Sequence, residues 1–311
     1  MAPAASDARA SSLDDVPSRS LVVSLVIALR PEQWTKNLVL FAALIFGARL
    51  FDPTGFRLAA MGFATFCALS SSIYLVNDLG DRAADREHPV KRRRPVASGA
   101  VPAGAAAGAA IGLGLLAIAT AFWLSRPFGA SALAYGLLQL GYTAYLKRVV
   151  VLDVIAIAMG FVIRALAGGL VTGVAVSGWL LLCTTLLALF LALSKRRHEI
   201  VLLDAQALRH RQTLGDYSPY LLDQMLSVVT ATTLTSYAFY TLSQETVEKF
   251  GDGLIVTFLF PLYGLFRYLY LVHRGADGGS PSDVLLTDLP LLTCVALWAA
   301  IVIAIIYGPS A

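Results

Sequence analysis

Asn77, Asp78, Asp81 and Asp85 stand in the run YLVNDLGDRAADREHPVKRRRP, Tyr74 to Pro95, which gathers four acidic and six basic side chains. Asn77, Asp81 and Asp85 fall four apart, a spacing that stacks them on one helical face. Asp78 joins Asp81 and Asp85 through (i, i+3) and (i, i+7) relations. Three carboxylates and an amide oxygen are thus expected to converge. Like charges so close cost stability unless a cation neutralises them. A hard divalent ion does so, and Mg2+ is usually held by one or two carboxylates together with a substrate's phosphate oxygens. The alternative is an ordinary wet loop in which these acids pair with Arg82, Arg86 and the run Lys91 to Arg94.

The elements that must position this run belong to a membrane. Of the 311 residues, 57% are hydrophobic and 14% charged, with a mean hydropathy of +0.71. Lipid demands an apolar exterior and internally bonded backbone, and period-2 alternation is absent, so an all-α integral membrane bundle is expected. Stretches near the length a membrane crossing needs number about nine. They are 34–50, 57–79, 103–124, 128–146, 150–173, 177–195, 220–243, 252–272 and 288–307. The first is short, and SLVVSLVIALRPEQW before it also reads as an interfacial amphipathic helix ending at Arg30 and Pro31. Residues 1–19, small and polar, read as a disordered cytosolic tail, and 20–311 as one transmembrane helical domain.

Basic residues set the orientation. With the N-terminus cytosolic, Arg30, Lys36, the Arg82 to Arg94 loop, Lys147, Arg148, Lys195 to Arg197, Arg209 and Arg211 all fall inside, leaving Arg49, Arg57, Arg126 and Lys249 outside. The topology is N-in and C-out, with polar chemistry on the cytosolic face of the plasma membrane. Cys67, Cys183 and Cys294 sit singly in apolar runs and read as packing residues. The histidines show no metal-ligand spacing, and no phosphate-binding glycine loop or zinc motif is present.

Asp153 and Arg164 lie eleven residues apart on one expected span, on nearly the same face, with Arg164 roughly 16 Å deeper. An ionisable side chain at that depth is a functional candidate. The competing reading is a structural ion pair or a helix–helix hydrogen bond.

The pattern Asn77-Asp78-x-x-Asp81-x-x-x-Asp85, followed by HPVKRRRPVASGAVP, resembles the first aspartate-rich motif of the UbiA superfamily of intramembrane prenyltransferases. That resemblance implies a nine-helix bundle holding a magnesium diphosphate at its cytosolic mouth, with a polyprenyl chain threaded between helices. Aromatic prenyltransferases of the superfamily carry a second aspartate-rich segment in the loop after helix six. Here that loop reads LSKRRHEIVLLDAQALRHRQTLGDY, with Lys195, Arg196, Arg197, His198 and Glu199 at its start. Carboxylates have given way to cations, so a phosphate is expected there rather than a second metal. Together with LRPEQWTKNLVLF and YLKRVVVLDVIAIAMGFVIRALAGG, the pattern is similar to a narrower branch, the decaprenyl-phosphate phosphoribosyltransferases.

The resemblance implies Mg2+ as cofactor and two substrates, phosphoribosyl pyrophosphate and a polyprenyl phosphate, with the product feeding arabinan synthesis for a cell wall. It assigns metal binding to Asn77, Asp78, Asp81 and Asp85, the three aspartates also being the catalytic set. Two further phosphates, on the ribose and on the lipid, need cations, and Lys36, Lys91, Arg94, Lys147, Lys195 and Arg196 are available. Tyr142, Asp153, Arg164 and Glu199 complete the expected substrate-binding set, Tyr142 as a partner for a ribose hydroxyl. No nucleic-acid partner is expected, and a homo-oligomer is compatible with the pattern. A UbiA-type transferase that moves a polyprenyl chain to an aromatic or haem acceptor is the alternative enzyme, and a transporter the alternative outside enzymes.

Overall fold

The computed structural model describes residues 20–88, 90–207, 215–274, 284 and 287–308. The expectation for 1–19, and the basic residues Arg209 and Arg211, fall outside them. Most of the described residues are helical. In chain order the helices are α1 (Leu21–Ala28), α2 (Ala42–Phe46), α3 (Pro53–Gly80), α4 (Arg82–Glu87), α5 (Pro95–Ser98), α6 (Ala103–Leu124) and α7 (Arg126–Ala144). They continue as α8 (Leu152–Thr172), α9 (Gly178–Ala207), α10 (Pro219–Leu242), α11 (Gln244–Phe250), α12 (Leu259–Arg274) and α13 (Leu289–Tyr307).

Helix starts follow local chemistry. Asp52, Ser125, Ser218 and Asp288 cap α3, α7, α10 and α13, each accepting from a first-turn backbone N–H, with proline just inside. Six helical stretches among the described residues are long and apolar enough to cross a membrane: 53–80, 103–124, 152–172, 178–201, 252–274 and 289–307. They coincide with six of the expected spans. The expected spans 128–146 and 220–243 correspond to α7 and α10, which have the length but carry Gln139 and Tyr142, or the threonine-rich TATTLTSYAFYT, in place of continuous aliphatics. The expected span 34–50 is not a single helix. Pro31–Phe41 winds as a 3₁₀ helix and only Ala42–Phe46 is α-helical. Arg30 precedes it in the left-handed conformation, at φ 55° and ψ 59°.

Each long helix packs against its neighbours in sequence, with α8 central: it touches α3, α7, α9 and the 3₁₀ segment. One apolar cluster joins α3, α6, α7, α8 and Leu40, around Phe66, Phe128 and Tyr135. A second joins α8, α9, α10, α12 and α13, around Phe190, Leu222 and Tyr268. The 3₁₀ segment lies directly on α8, because Gly168 has no side chain: a Cβ there would stand 2.0 Å from the Leu40 carbonyl oxygen. Hydroxyls on α3 provide the polar attachments that apolar surroundings make worthwhile. Ser71 donates to the Leu29 carbonyl and accepts from the Trp34 indole N–H, and Ser72 donates to the Ala110 carbonyl.

Candidate active site

The acidic motif does not lie on one continuous helix. α3 ends at Gly80, Asp81 adopts φ −90° and ψ 4°, and α4 carries Asp85. Among the described residues, no group of three or more His, Cys, Asp or Glu side chains is placed to hold a metal ion. The expected stacking on one continuous helical face gives way to a break at Asp81. The break turns Asp81 toward Lys147, while Asp78 and Asp85 share Arg94.

Asp78 is buried and its Oδ1 receives Arg30 Nη2 and, at 3.3 Å, Arg94 Nη1. The same Arg94 nitrogen donates to Asp85 Oδ2 at 2.7 Å, so one guanidinium draws the two buried carboxylates together. Asp81 turns instead to Lys147, whose Nζ lies 3.4 Å from its Oδ1. The Asn77 side chain is half-buried on α3 beside them. Arg82 and Arg86 donate to the Val96 and Ala97 carbonyls, closing the turn from α4 onto α5. His88 Nδ1 accepts from the Val90 and Lys91 backbone N–H groups, so this ring caps the turn that presents Lys91.

Asp78 Oδ2 is a buried oxygen with no partner among the described residues. An orphaned carboxylate oxygen beside a second carboxylate fits a Mg2+ ion that also takes phosphate oxygens and waters, which is its usual mode of binding. The set does not form an all-protein cage.

A second cluster sits where α7, α8 and α9 meet. The sequence expects a loop at Lys195, but α9 runs on to Ala207, stabilised by Glu199 at (i, i+3) from Arg196 and (i, i+4) from Lys195. Arg196, 1% exposed, donates to Asp153 Oδ2 at 2.8 Å, Glu199 Oε2 at 2.7 Å and Tyr142 OH at 3.4 Å. Its guanidinium is thus committed to the protein, and Tyr142 and Glu199 are committed to it. Lys195, on the same helix, has a side chain 43% exposed and lies 4.0 Å from Glu199.

Arg164 does not pair with Asp153. It lies deeper on α8, 4% exposed, donating to Asn37 Oδ1 at 2.7 Å, Tyr135 OH at 2.6 Å and the Gly160 carbonyl at 3.0 Å. Its guanidinium also stacks over the Tyr135 ring, 4.5 Å from the centroid. These partners are neutral, so the charge of Arg164 is not cancelled locally. Next to Asn37, Lys36 feels burial first and then the charges of Lys195, Arg164 and Arg30, which together push its ammonium down to about 8. A group that gains cationic neighbours and loses water in this way is suited to an anion.

Sequence reasoning missed Arg30, Asn37, Tyr135 and Tyr217 as partners. Arg30 and Asn37 lie within the RPEQWTKN neighbourhood already singled out, and their roles depend on a 3₁₀ path that periodicity does not reveal.

The UbiA prenyltransferase family profile matches residues 37–282. A decaprenyl-phosphate phosphoribosyltransferase of Corynebacterium glutamicum is 36% identical over 297 residues, covering 94% of this chain and 89% of its own. One from Mycolicibacterium smegmatis is 32% identical over 307 residues, covering 94% and 95%. Among solved structures, a UbiA homolog from Archaeoglobus fulgidus bound to GPP and Mg2+ superposes with a TM-score of 0.69 at 23% identity, covering 91% of this chain and 99% of that one. At that identity the likeness establishes the fold.

Proposed function

The chain belongs to the UbiA prenyltransferase family, and from that premise we propose that it transfers the 5-phosphoribosyl group from phosphoribosyl pyrophosphate to a polyprenyl phosphate, releasing pyrophosphate at the cytosolic face. The observation that carries this reading is the arrangement around Lys36. The buried pair Asp78 and Asp85 is held by Arg30 and Arg94, and Lys36, its ammonium lowered first by burial and then by the charges of Lys195, Arg164 and Arg30, adds a further cation. A substrate with phosphates at two ends matches such a site. The two relatives named above are called decaprenyl-phosphate phosphoribosyltransferases.

The lipid phosphate oxygen is already anionic and needs no general base. It attacks the ribose C1 while the bond from C1 to the pyrophosphate oxygen breaks, and pyrophosphate leaves with the electron pair. Asp78 and Asp85 would hold Mg2+, which supplies charge stabilisation to the leaving diphosphate. Asp81 orients Lys147 at the mouth. Lys36 and Lys195 bind phosphate oxygens of the donor, and Arg164 keeps the floor of the site positive. These fixed charges oppose the negative charge that grows on the leaving group, without reorganisation during the reaction.

The test is incubation of the purified protein with labelled phosphoribosyl pyrophosphate, Mg2+ and a polyprenyl phosphate, followed by organic extraction. Label in the lipid phase with stoichiometric pyrophosphate is expected. No labelled lipid, with product forming instead from a prenyl diphosphate and an aromatic acid, would overturn the proposal.

A further inference from the structure

Tyr217 lies between α9 and α10, is 4% exposed, and bonds twice through one hydroxyl. It accepts the Val151 backbone N–H at 2.7 Å and donates to Asp153 Oδ1 at 2.9 Å. Burial, reinforced by Asp153, pushes the phenol up to about 12, so it stays a donor throughout the neutral range. Val151 stands just before α8 with φ 68° and ψ −42°. For a β-branched residue a positive φ is a true outlier, and these angles approach the rare γ-turn region. Such a conformation persists only where its surroundings over-determine it.

The turn that Val151 ends begins at Tyr145, where α7 stops, and contains the 3₁₀ turn Leu146–Arg148. It delivers Lys147 to Asp81 on one side. On the other it opens α8 at Asp153, whose second oxygen takes Arg196. The hydroxyl of Tyr217 therefore closes the turn at the point where the backbone is least comfortable. We propose that Tyr217 is a positioning residue, holding Val151 in its strained turn and so setting Lys147 against Asp81 at the mouth of the site. Tyr217 acts through the backbone, four residues from the cation it places. The proposal rests on the phosphoribosyl-transfer reading, in which Lys147 serves a phosphate of the donor, and on geometry alone for the clamp.

The experiment compares wild type, Tyr217→Phe, Val151→Gly and the double variant, each as the full chain in lipid nanodiscs. Rates are measured against phosphoribosyl pyrophosphate and a polyprenyl phosphate in turn, and thermal unfolding is followed alongside. Tyr217→Phe should raise the KM for the donor about tenfold and that for the lipid by less than about twofold. Glycine enters positive φ freely, so in the Val151→Gly background the turn no longer needs its clamp. There the same Tyr217→Phe change should cost less than about twofold in donor KM. Equal losses in both backgrounds, or equal losses for both substrates, would overturn the assignment. The unfolding midpoint should fall with Tyr217→Phe and fall less in the Val151→Gly background, and equal falls overturn the clamp even if activity is unmeasurable. A wild-type protein that makes no phosphoribosyl lipid fails the functional reading instead, leaving the unfolding comparison to decide the clamp.

Discussion

Arg164 donates from Nε to Asn37 Oδ1 at 2.7 Å, tying a guanidinium inside a membrane span to the residue that follows Lys36. Asn37 uses its amide nitrogen toward Cys67 and Ser70 on α3, so one side chain links α3, α8 and the 3₁₀ segment. Among the described residues the hydrogen-bond partners of Arg164 are neutral, so its positive charge is not cancelled by an ion pair.

Asn37→Asp tests that charge. The carboxylate still accepts from Arg164 but loses the donation to Cys67 and Ser70, so the melting point should fall modestly while the fold persists, and its charge cancels the potential that attracts phosphates. The donor Kd should weaken about tenfold or more, read by titration of phosphoribosyl pyrophosphate together with a melting curve. Unchanged donor affinity in a well-folded variant would remove Arg164 from the site.

Lys36 sets a pH dependence. Its ammonium, lowered to about 8 from 10.5, is charged below that value and neutral above it. Donor affinity should fall as pH rises from 7 through about 8 and beyond. Stability should move the opposite way: between about 8 and 10.5 the unfolded chain binds more protons than the native one, so folding becomes more favourable as pH rises. Lys36→Met should weaken donor binding about ten- to hundredfold and flatten both profiles near pH 8. A donor affinity that does not respond to pH in wild type contradicts the assignment.

Asp78→Asn and Asp85→Asn should leave the chain inserted and helical but reduce turnover by more than about a hundredfold. Asp81→Asn should also impair turnover, through loss of its hold on Lys147. Chelation should silence the wild type and Mg2+ restore it. The measurement is initial rate against Mg2+ concentration, and near-normal rates in both Asp78 and Asp85 variants would sink the metal assignment.

Lys195 and Arg196 should part company. Arg196→Ala leaves buried Asp153 without its cation, and removing one partner of a buried pair costs about 3–5 kcal/mol. Its midpoint of unfolding should drop sharply. Lys195 is far more exposed, so Lys195→Ala should leave stability nearly unchanged and weaken the donor about tenfold. If Lys195→Ala instead affects only the lipid acceptor, the donor phosphate lies elsewhere. Donor and acceptor titrations beside calorimetry distinguish these outcomes.

By itself the sequence determined that this is a helical membrane chain, because composition and the lengths of apolar runs act locally and need no partner to be read. It also determined the family, since the NDxxDxxxD spacing and the basic segments that follow are contiguous. Only the tertiary structure decided which charge meets which. Asp78 takes Arg30 from 48 residues away, Asp153 takes Tyr217 from 64 and Arg164 takes Asn37 from 127. Along the chain many arginines and lysines are equivalent donors for a given carboxylate. Packing breaks that equivalence, because the glycine contact of α8 with Leu40, the kink at Asp81 and the extension of α9 leave each buried charge a small number of reachable partners, and one without hydrogen-bonding groups around it costs too much to keep.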